Sequence, residues 1–193
     1  MINLILFGPP GAGKGTQSAK LIEKYTLTHI STGDLFRKHL KEGTALGKLA
    51  QDYMSKGNLV PDQVVIDMVD DKISSSGKIQ GIIFDGFPRT IPQAEALDKL
   101  LNSKGAPINA FIELLVPEDE LRKRLASRAT KENRPDDAKP EVIENRISVY
   151  NKETAIVADY YKKLKKYSSV IGVGEEEQIF KNICREVDKS LLM

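Results

Sequence analysis

A glycine-rich turn that ends in a lysine is the first group of residues in this chain that could do chemistry. Residues 8–16 read GPPGAGKGT. The glycines let backbone N–H groups crowd around an anion, the helix predicted after the turn adds the positive end of its dipole, and Lys14 can reach the β and γ phosphates of a nucleotide. The general motif G-x-x-x-x-G-K-[ST] requires Ser or Thr directly after the lysine. This chain has Gly15 at that position, and the hydroxyl comes one residue later at Thr16. The turn therefore predicts a phosphate site with an unusual last position.

A carboxylate and an arginine follow a second apolar run. The residues 82–84 are Ile-Ile-Phe and lead into Asp85, the form of the acidic residue that orders Mg²⁺ beside a phosphate loop. Arg89 follows four residues later, at a predicted helix start. A cation there opposes the helix dipole, which disfavours a plain surface role and favours a phosphate partner for Arg89.

A second anion site is predicted at residues 31–34. This stretch, Ser-Thr-Gly-Asp, is a hydroxyl-rich helix start, and Arg37 lies one turn further on. His29 lies before the end of the preceding strand, so we interpret it as a strand residue and not as a general base.

Arginines are concentrated in the later half of the chain: Arg122, Arg124, Arg128, Arg134 and Arg146. Four-residue spacing puts Arg124 and Arg128 on one helix face, where like charges repel unless an anion joins them. Salt bridges to Glu118, Glu120 and Glu144 are the alternative for each arginine. Phosphoryl transfer needs mainly positioning and charge stabilisation, and two anion sites imply two phosphorylated substrates.

The elements that must position these residues alternate along the chain. Five β-rich runs are separated by helical segments: 2–7, 28–31, 81–85, 110–116 and 169–173. Such alternation predicts an α/β fold, a parallel sheet with helices on both faces, whose ligands gather beyond the carboxyl ends of the strands. Two stretches interrupt it as candidate moving parts: 31–60, with two short helices divided at residues 43 and 44, and the polar segment 127–137. Pro140 is predicted to open one long helix that reaches Tyr161.

Composition narrows the class of protein. The 193 residues are 40% hydrophobic, which suits a single domain, and a net charge of +2 without tryptophan argues against a nucleic-acid binder. No apolar run approaches the length of a membrane span, and no Cys/His spacing suggests zinc. Cys184 falls on an apolar helix face and is interpreted as a core residue. An N-terminal strand in place of a leader suggests a cytoplasmic protein, and without an obvious interface stripe we expect a monomer.

Three stretches, in this order, resemble the adenylate kinase family: residues 8–16, including Gly15, then STGDLFR at 31–37 and DGFPRTIPQ at 85–93. The resemblance covers nearly the whole chain. It implies a P-loop NTPase-type sheet of five parallel strands, reversible phosphoryl transfer from ATP to AMP giving two ADP, and Mg²⁺ as cofactor, with Asp85 ordering it through water. It also implies a helical AMP-binding segment at 31–60 and a short lid at 127–137, without the zinc-binding cysteines of some long-lid members.

The resemblance also implies roles for individual residues. Those implied to hold ATP are Gly11, Ala12, Gly13, Lys14, Gly15, Thr16, Arg124, Arg128 and the loop from Gly172 to Gly174. Those implied to hold AMP are Thr32, Arg37, Asn58, Leu59, Val60, Gly86, Phe87, Pro88, Arg89, Gln93, Arg134 and Arg146. Gln93 is implied to read adenine through its amide and Arg124 to stack on the other adenine, while Lys14, Arg89, Arg134 and Arg146 neutralise phosphates. The chain is one residue longer than the family's pattern before the last arginine. Either Arg146 or Asn145 therefore stands at the position of the family's last arginine.

Two other classes of function remain open from the sequence. A kinase for UMP, CMP or another small acceptor would share most of these features. A nucleotide-dependent switch protein would share the phosphate loop, but Thr154 replaces the aspartate of the guanine-reading motif N-K-x-D, and no D-x-x-G occurs.

Overall fold

The computed structural model describes residues 1–77, 79–131 and 139–192. In these residues the five strands are β1 (Ile2–Phe7), β2 (Thr28–Ser31), β3 (Gly81–Asp85), β4 (Ala110–Leu115) and β5 (Tyr167–Ile171). They form one sheet in the order β2-β3-β1-β4-β5, and every pairing is parallel. The predicted α/β class and parallel sheet are confirmed.

One or more helices connect each strand to the next. The described helices are α1 (Lys14–Tyr25), α2 (Thr32–Lys41), α3 (Ala45–Met54), α4 (Asp62–Ser75), α5 (Ile91–Ser103), α6 (Glu118–Lys131), α7 (Pro140–Val149), α8 (Val157–Lys163) and α9 (Glu176–Leu191). Side chains of Ser31, Thr44 and Thr90 cap α2, α3 and α5 by accepting a backbone N–H of the first turn. None of the described helices is both long enough and apolar enough to cross a membrane.

Helices cover both faces of the sheet, which explains why its strands are almost continuously apolar. Successive residues of β1 point to opposite faces, so Ile5 and Phe7 join one core cluster while Leu4 and Leu6 join the other. The first cluster includes apolar residues of α2, α3, α4, α5 and α8, and the second those of α1, α6, α7 and α9. Cys184 is buried in the second cluster, as predicted.

Two predicted elements have other bounds in the structure. The strand predicted at 169–173 begins and ends two residues earlier, at Tyr167 and Ile171, and Tyr167 and Ser168 pair with β4 although their side chains are polar. The single long helix predicted from Pro140 is divided by a π-helical turn, Tyr150–Thr154, in which Ala155 N donates to Tyr150 O at 2.8 Å. The wider turn shifts the helical phase, and the chain continues as α8.

The sheet brings the chemically important residues to one edge. β1 lies between β3 and β4, so the chain runs first to one side of β1 and later to the other. Such a reversal opens a crevice at the carboxyl ends of the strands. The residues just beyond the strand ends, among them Gly8, Thr32 and Gly172, come together there.

Candidate active site

The glycine-rich turn joins β1 to α1 and requires glycine at particular positions. Gly8 has φ 139°, and a Cβ there would lie 2.9 Å from the carbonyl oxygen of Leu114. Gly13 has φ 92° and is the N-cap of α1. Both conformations strain any residue with a side chain. The turn therefore packs its backbone directly against β4 and enters the helix without a bulky residue.

The N-terminus of α1 offers donors to a ligand. Gly13 provides no side-chain cap, so the first backbone N–H groups of the helix lack the usual capping oxygen. The ammonium of Lys14 lies beside them and donates to Gly8 O at 2.8 Å and to Pro9 O at 2.9 Å. A phosphate at this helix end would meet N–H donors, the helix dipole and one ammonium group together.

Burial lowers the pKa of Lys14 to about 8. The carboxylate of Asp85 acts in the opposite direction and raises that pKa, while the charges of Arg89, Arg128 and Arg146 lower it further. Those three guanidinium groups belong to distant parts of the chain. All three line the same cleft as Lys14.

We expect the second-order rate constant for ATP to fall above pH 8, by about tenfold for each pH unit. The lowered pKa means that free Lys14 loses its proton as the pH rises through 8, and the neutral amine cannot pair with phosphate. Bound phosphate raises the pKa again, so kcat at saturating ATP should stay constant to a higher pH. Initial rates between pH 6.5 and 9.5 test this. In the Lys14→Arg variant the side chain stays protonated, so the second-order rate constant for ATP should not fall above pH 8, whatever its absolute value.

The residues predicted as a second anion site line the same cleft near the start of α2. Thr32 Oγ1 donates to Gly86 O at 2.8 Å, which ties the first residue of α2 to the residue after β3. Arg37 lines the cleft and forms an ion pair with Asp34. Asn58, Leu59 and Val60 also line the cleft. The cleft therefore contains a hydroxyl and a guanidinium group here, and binding of an anion by these groups stays a prediction.

Arg89 and Gln93 line the cleft and contact each other. Arg89 Nε donates to Gly86 O at 2.7 Å, and a Cβ on Gly86 would lie 2.9 Å from Arg89 Nη2, so the guanidinium group rests directly on a glycine. The backbone N–H of Arg89 donates to Gln93 Oε1 at 2.8 Å, while Gln93 Nε2 donates to Asp62 Oδ1 at 2.8 Å. Gln93 is 1% exposed, so its amide position is set by these partners.

The arginines of the later half separate into two groups. Arg124 lines the cleft, with Nε donating to Glu120 at 2.8 Å and Nη1 donating to Gly172 O at 3.0 Å. Arg128 and Arg146 also line it. Arg122 does not, because it pairs with carboxylates of α6 and α7: Glu118 at 2.9 Å, Asp119 at 3.2 Å and Glu144 at 2.7 Å. The salt-bridge alternative is thus correct for Arg122, and Arg124 also pairs with Glu120 although it lines the cleft.

These groups enclose one cleft of ≈ 870 Å³. Predicted site residues that line it are Gly11, Ala12, Gly13, Lys14, Gly15, Thr16, Thr32, Arg37, Asn58, Leu59, Val60, Asp85, Gly86, Pro88, Arg89, Gln93, Arg124, Arg128 and Arg146. Of the other predicted residues with described positions, Phe87 is buried in the core, Gly172 lies behind the loop as a backbone partner of Arg124, and Gly174 is outside the cleft wall. Arg134 and most of the predicted lid, 132–137, lie outside the described residues. The lid's first residues, Ser127 to Lys131, belong to α6.

Sequence reasoning missed three residues of this region. Asp62 accepts one hydrogen bond from the amide of Gln93 at 2.8 Å and another from the hydroxyl of Thr90 at 3.0 Å. These two partners lie 31 and 28 residues away from it in the chain.

Tyr150 lines the cleft from the π-helical turn and donates to Glu113 at 2.9 Å. His29 is a strand residue as predicted, but it also lines the cleft, with Nε2 3.7 Å from Asp85 Oδ2. Its position two residues before the end of β2 was the available signal.

The cleft is strongly cationic in a nearly neutral chain. Among its described lining residues, eight are lysine or arginine and three are aspartate or glutamate. Charges of one sign gathered in a cleft focus the field on it and attract ligands of opposite sign. Within residues 1–77, 79–131 and 139–192, no three His, Cys, Asp or Glu side chains are grouped to hold a metal ion. The cleft is therefore built for polyanions.

A glycine-rich loop between a strand and a helix, with its lysine in a cationic cleft at the edge of a parallel sheet, is typical of a nucleotide-dependent phosphotransferase of the P-loop class. Residues 6–166 match the sequence family described as adenylate kinase. The chain is 47% identical over 189 residues to an adenylate kinase of Bacteroides thetaiotaomicron, covering 98% of this chain and 100% of the relative. It is likewise 47% identical over 188 residues to one of Flavobacterium psychrophilum (97% and 99% covered), and 44% over 189 residues to one of Cyanothece sp. (98% and 96%). The chain belongs to the adenylate kinase family.

Proposed function

We propose that the protein transfers the γ-phosphoryl group of ATP to AMP, reversibly, giving two ADP, and so balances the adenine nucleotides. The observation that carries this proposal is that Lys14, Arg89, Arg128 and Arg146 line one cleft. A transferring phosphoryl group spreads charge over its equatorial oxygens, and fixed cations stabilise that charge without reorganisation. The ionised phosphate of the acceptor needs no protein base.

We assign each of the two nucleotides to one group of the residues that line the cleft. The loop from Gly11 to Thr16 holds the ATP phosphates on the helix end, with Arg124 beside its adenine and Arg128 near the phosphates. Thr32, Arg37 and the backbone from Asn58 to Val60 hold AMP, with the amide of Gln93 at the base. Residues 31–60 and 127–137 act as the AMP-binding and lid segments, and Arg134 contributes from the latter.

The residues present fit a magnesium ion carried by the nucleotide. Mg²⁺ is held in such sites by one or two carboxylates together with phosphates and water. The carboxylate of Asp85 and the hydroxyl of Thr16 both line the cleft beside Lys14. When bound, the ion would neutralise phosphate charge, and Asp85 would hold it through water. Structural zinc has no place in this proposal.

The protein is proposed to act as a cytoplasmic monomer, independent of nucleic acid and membranes. The support is that one chain supplies the loop, the acceptor pocket and the cations between them. Sedimentation of the purified protein with and without nucleotides tests the oligomeric state.

Turnover with a panel of nucleoside monophosphates and Mg²⁺-ATP tests the proposed reaction. AMP should react fastest, and omission of Mg²⁺ should abolish most of the rate. If UMP or CMP outpaced AMP, the acceptor would be a pyrimidine nucleotide. If guanine nucleotides competed best for binding and no transfer occurred, a switch function would replace the enzymatic one.

A further inference from the structure

Asp62 lies at the first residue of α4 and contacts the base end of the acceptor pocket through Gln93. A single carboxylate oxygen, Oδ1, accepts both from Gln93 Nε2 at 2.8 Å and from Thr90 Oγ1 at 3.0 Å. Thr90 is the N-cap of α5, and its hydroxyl accepts from the backbone N–H of Gln93 at 3.3 Å. The start of α4 and the start of α5 are thus joined around the Gln93 side chain.

These contacts determine which way round the Gln93 amide lies. A carboxylate only accepts hydrogen bonds, so the amide nitrogen must face Asp62. A backbone N–H only donates, so the amide oxygen must face Arg89 N, which lies 2.8 Å away. Turning the amide by 180° would place two acceptors together at one end and two donors at the other. The orientation is therefore fixed from both ends.

The fixed amide retains one N–H and one oxygen lone pair for a ligand. A primary amide has two N–H donors and two acceptor lone pairs, and Asp62 and Arg89 occupy one of each. Gln93 lies on the wall of the acceptor pocket. Adenine complements the remaining pair, because its 6-amino group donates and its N1 accepts. Hypoxanthine carries a 6-oxo acceptor and an N1–H donor, which is the reverse order.

We propose that Asp62 is a positioning residue that sets adenine specificity by holding the Gln93 amide in one orientation. This inference rests on the proposed AMP site. Asp62 makes both contacts through Oδ1 as a hydrogen-bond acceptor. An asparagine can offer the same oxygen, whereas an alanine cannot.

The test compares Asp62→Ala and Asp62→Asn, with AMP and inosine monophosphate (IMP) as acceptors. In Asp62→Ala the nitrogen end of the amide is released, so the KM for AMP should rise about tenfold and the preference for AMP over IMP should fall about tenfold, within the range that a bidentate base contact discriminates. The kcat for AMP and the KM for ATP should change less than about threefold, since the residues around the phosphates are untouched. Asp62→Asn should restore both AMP values.

A matched control lies on the same helix. Asp67 accepts from the amide of Gln63 at 2.6 Å on the exposed side of α4, so Asp67→Ala removes an equivalent contact outside the cleft and should change neither ratio. Thermal unfolding of each variant separates misfolding from a change in recognition, because misfolding lowers kcat for both acceptors alike.

The outcomes distinguish this inference from the proposed function. An unaltered enzyme that does not prefer AMP overturns the function itself. An unaltered enzyme that prefers AMP, together with an Asp62→Ala variant whose AMP-to-IMP ratio is unchanged, overturns only the role of Asp62. If Asp62→Asn behaves like Asp62→Ala, an acceptor oxygen at residue 62 is not sufficient, and the orientation mechanism is wrong.

Discussion

Replacing Arg89 with alanine is expected to lower turnover by about 10³-fold or more while the fold is retained, since arginines at transferring phosphoryl groups contribute roughly 10³ to 10⁵ in rate. The guanidinium group lies on Gly86 with its Nε held by a carbonyl at 2.7 Å, so its direction is fixed before any ligand arrives. It also lies among the charges that act on Lys14. Removing it takes away one of the cations expected to stabilise the transition state.

The backbone of Arg89 keeps the base pocket intact in this variant. Its N–H, which holds Gln93 Oε1, is unchanged by a side-chain substitution. Recognition of adenine should therefore survive, and most of the loss should appear in kcat. Steady-state kinetics with both nucleotides varied measure the effect.

Arg122→Ala is the control for the loss of an arginine. Its guanidinium group is held by Glu118, Asp119 and Glu144 outside the cleft, and exposed pairs of this kind contribute little to stability. Its turnover should remain near that of the unaltered enzyme. An Arg89→Ala variant that kept a tenth of the original turnover would contradict the role given to Arg89.

The outline of the site could be predicted because its parts are local in sequence. Residues 8–16 contain the loop, the lysine and the helix start in nine consecutive positions, and the sheet needs only to place them. Parallel strands also end at one edge whatever their exact bounds. Gly172 therefore lies at the carboxyl end of β5 as expected, although that strand begins and ends two residues before the prediction.

Helical geometry could have separated the arginines further than our prediction did. Residues four apart on a helix share a face, whereas residues two apart do not. Arg124 and Arg128 accordingly both line the cleft, while Arg122 turns toward Glu144 of α7. The pattern was readable, because two of the carboxylates that hold Arg122, Glu118 and Asp119, lie on the same helix. The third, Glu144, lies 22 residues away, and its contact depends on how α6 and α7 pack.

The role of Asp62 had no local signal. An aspartate at the start of a helix is ordinarily explained by the helix dipole, and nothing near it in sequence suggests a ligand. Its contact with Gln93 arises only when α4 and α5 pack together. The π-helical turn at Tyr150–Thr154 is similar, because the apolar spacing on either side fits a continuous helix and only tertiary packing shows the shift.

Replacing Lys14 with methionine is expected to lower turnover by about 10² to 10³-fold, the range seen when one fixed donor to a developing charge is removed. The ammonium group is held over the loop by Gly8 O and Pro9 O, at the helix end where the donor phosphates are proposed to bind. Methionine has a similar length and no charge, so the loop should keep its shape. The affinity for ATP should fall together with kcat.

Stability should not fall with activity in Lys14→Met. Burial lowers the pKa of Lys14 to about 8, which means that the folded protein holds this charge at a cost near neutral pH. Removing the charge removes that cost, although the carbonyl groups of Gly8 and Pro9 each lose a hydrogen-bond donor. We therefore expect the midpoint of thermal unfolding at pH 7 to stay the same or rise, as is common where a functional site is strained.

Lys20→Met is the control on the same helix. Lys20 forms exposed ion pairs with Glu176 at 2.9 Å and Glu177 at 3.0 Å, between α1 and α9 and away from the cleft. Its loss should leave turnover unchanged. Equal losses of activity in the two variants would mean that a general weakening of α1 is responsible. A Lys14→Met variant that is inactive and also much less stable would show that the ammonium group supports the loop, and the cost that we assign to its burial would be wrong.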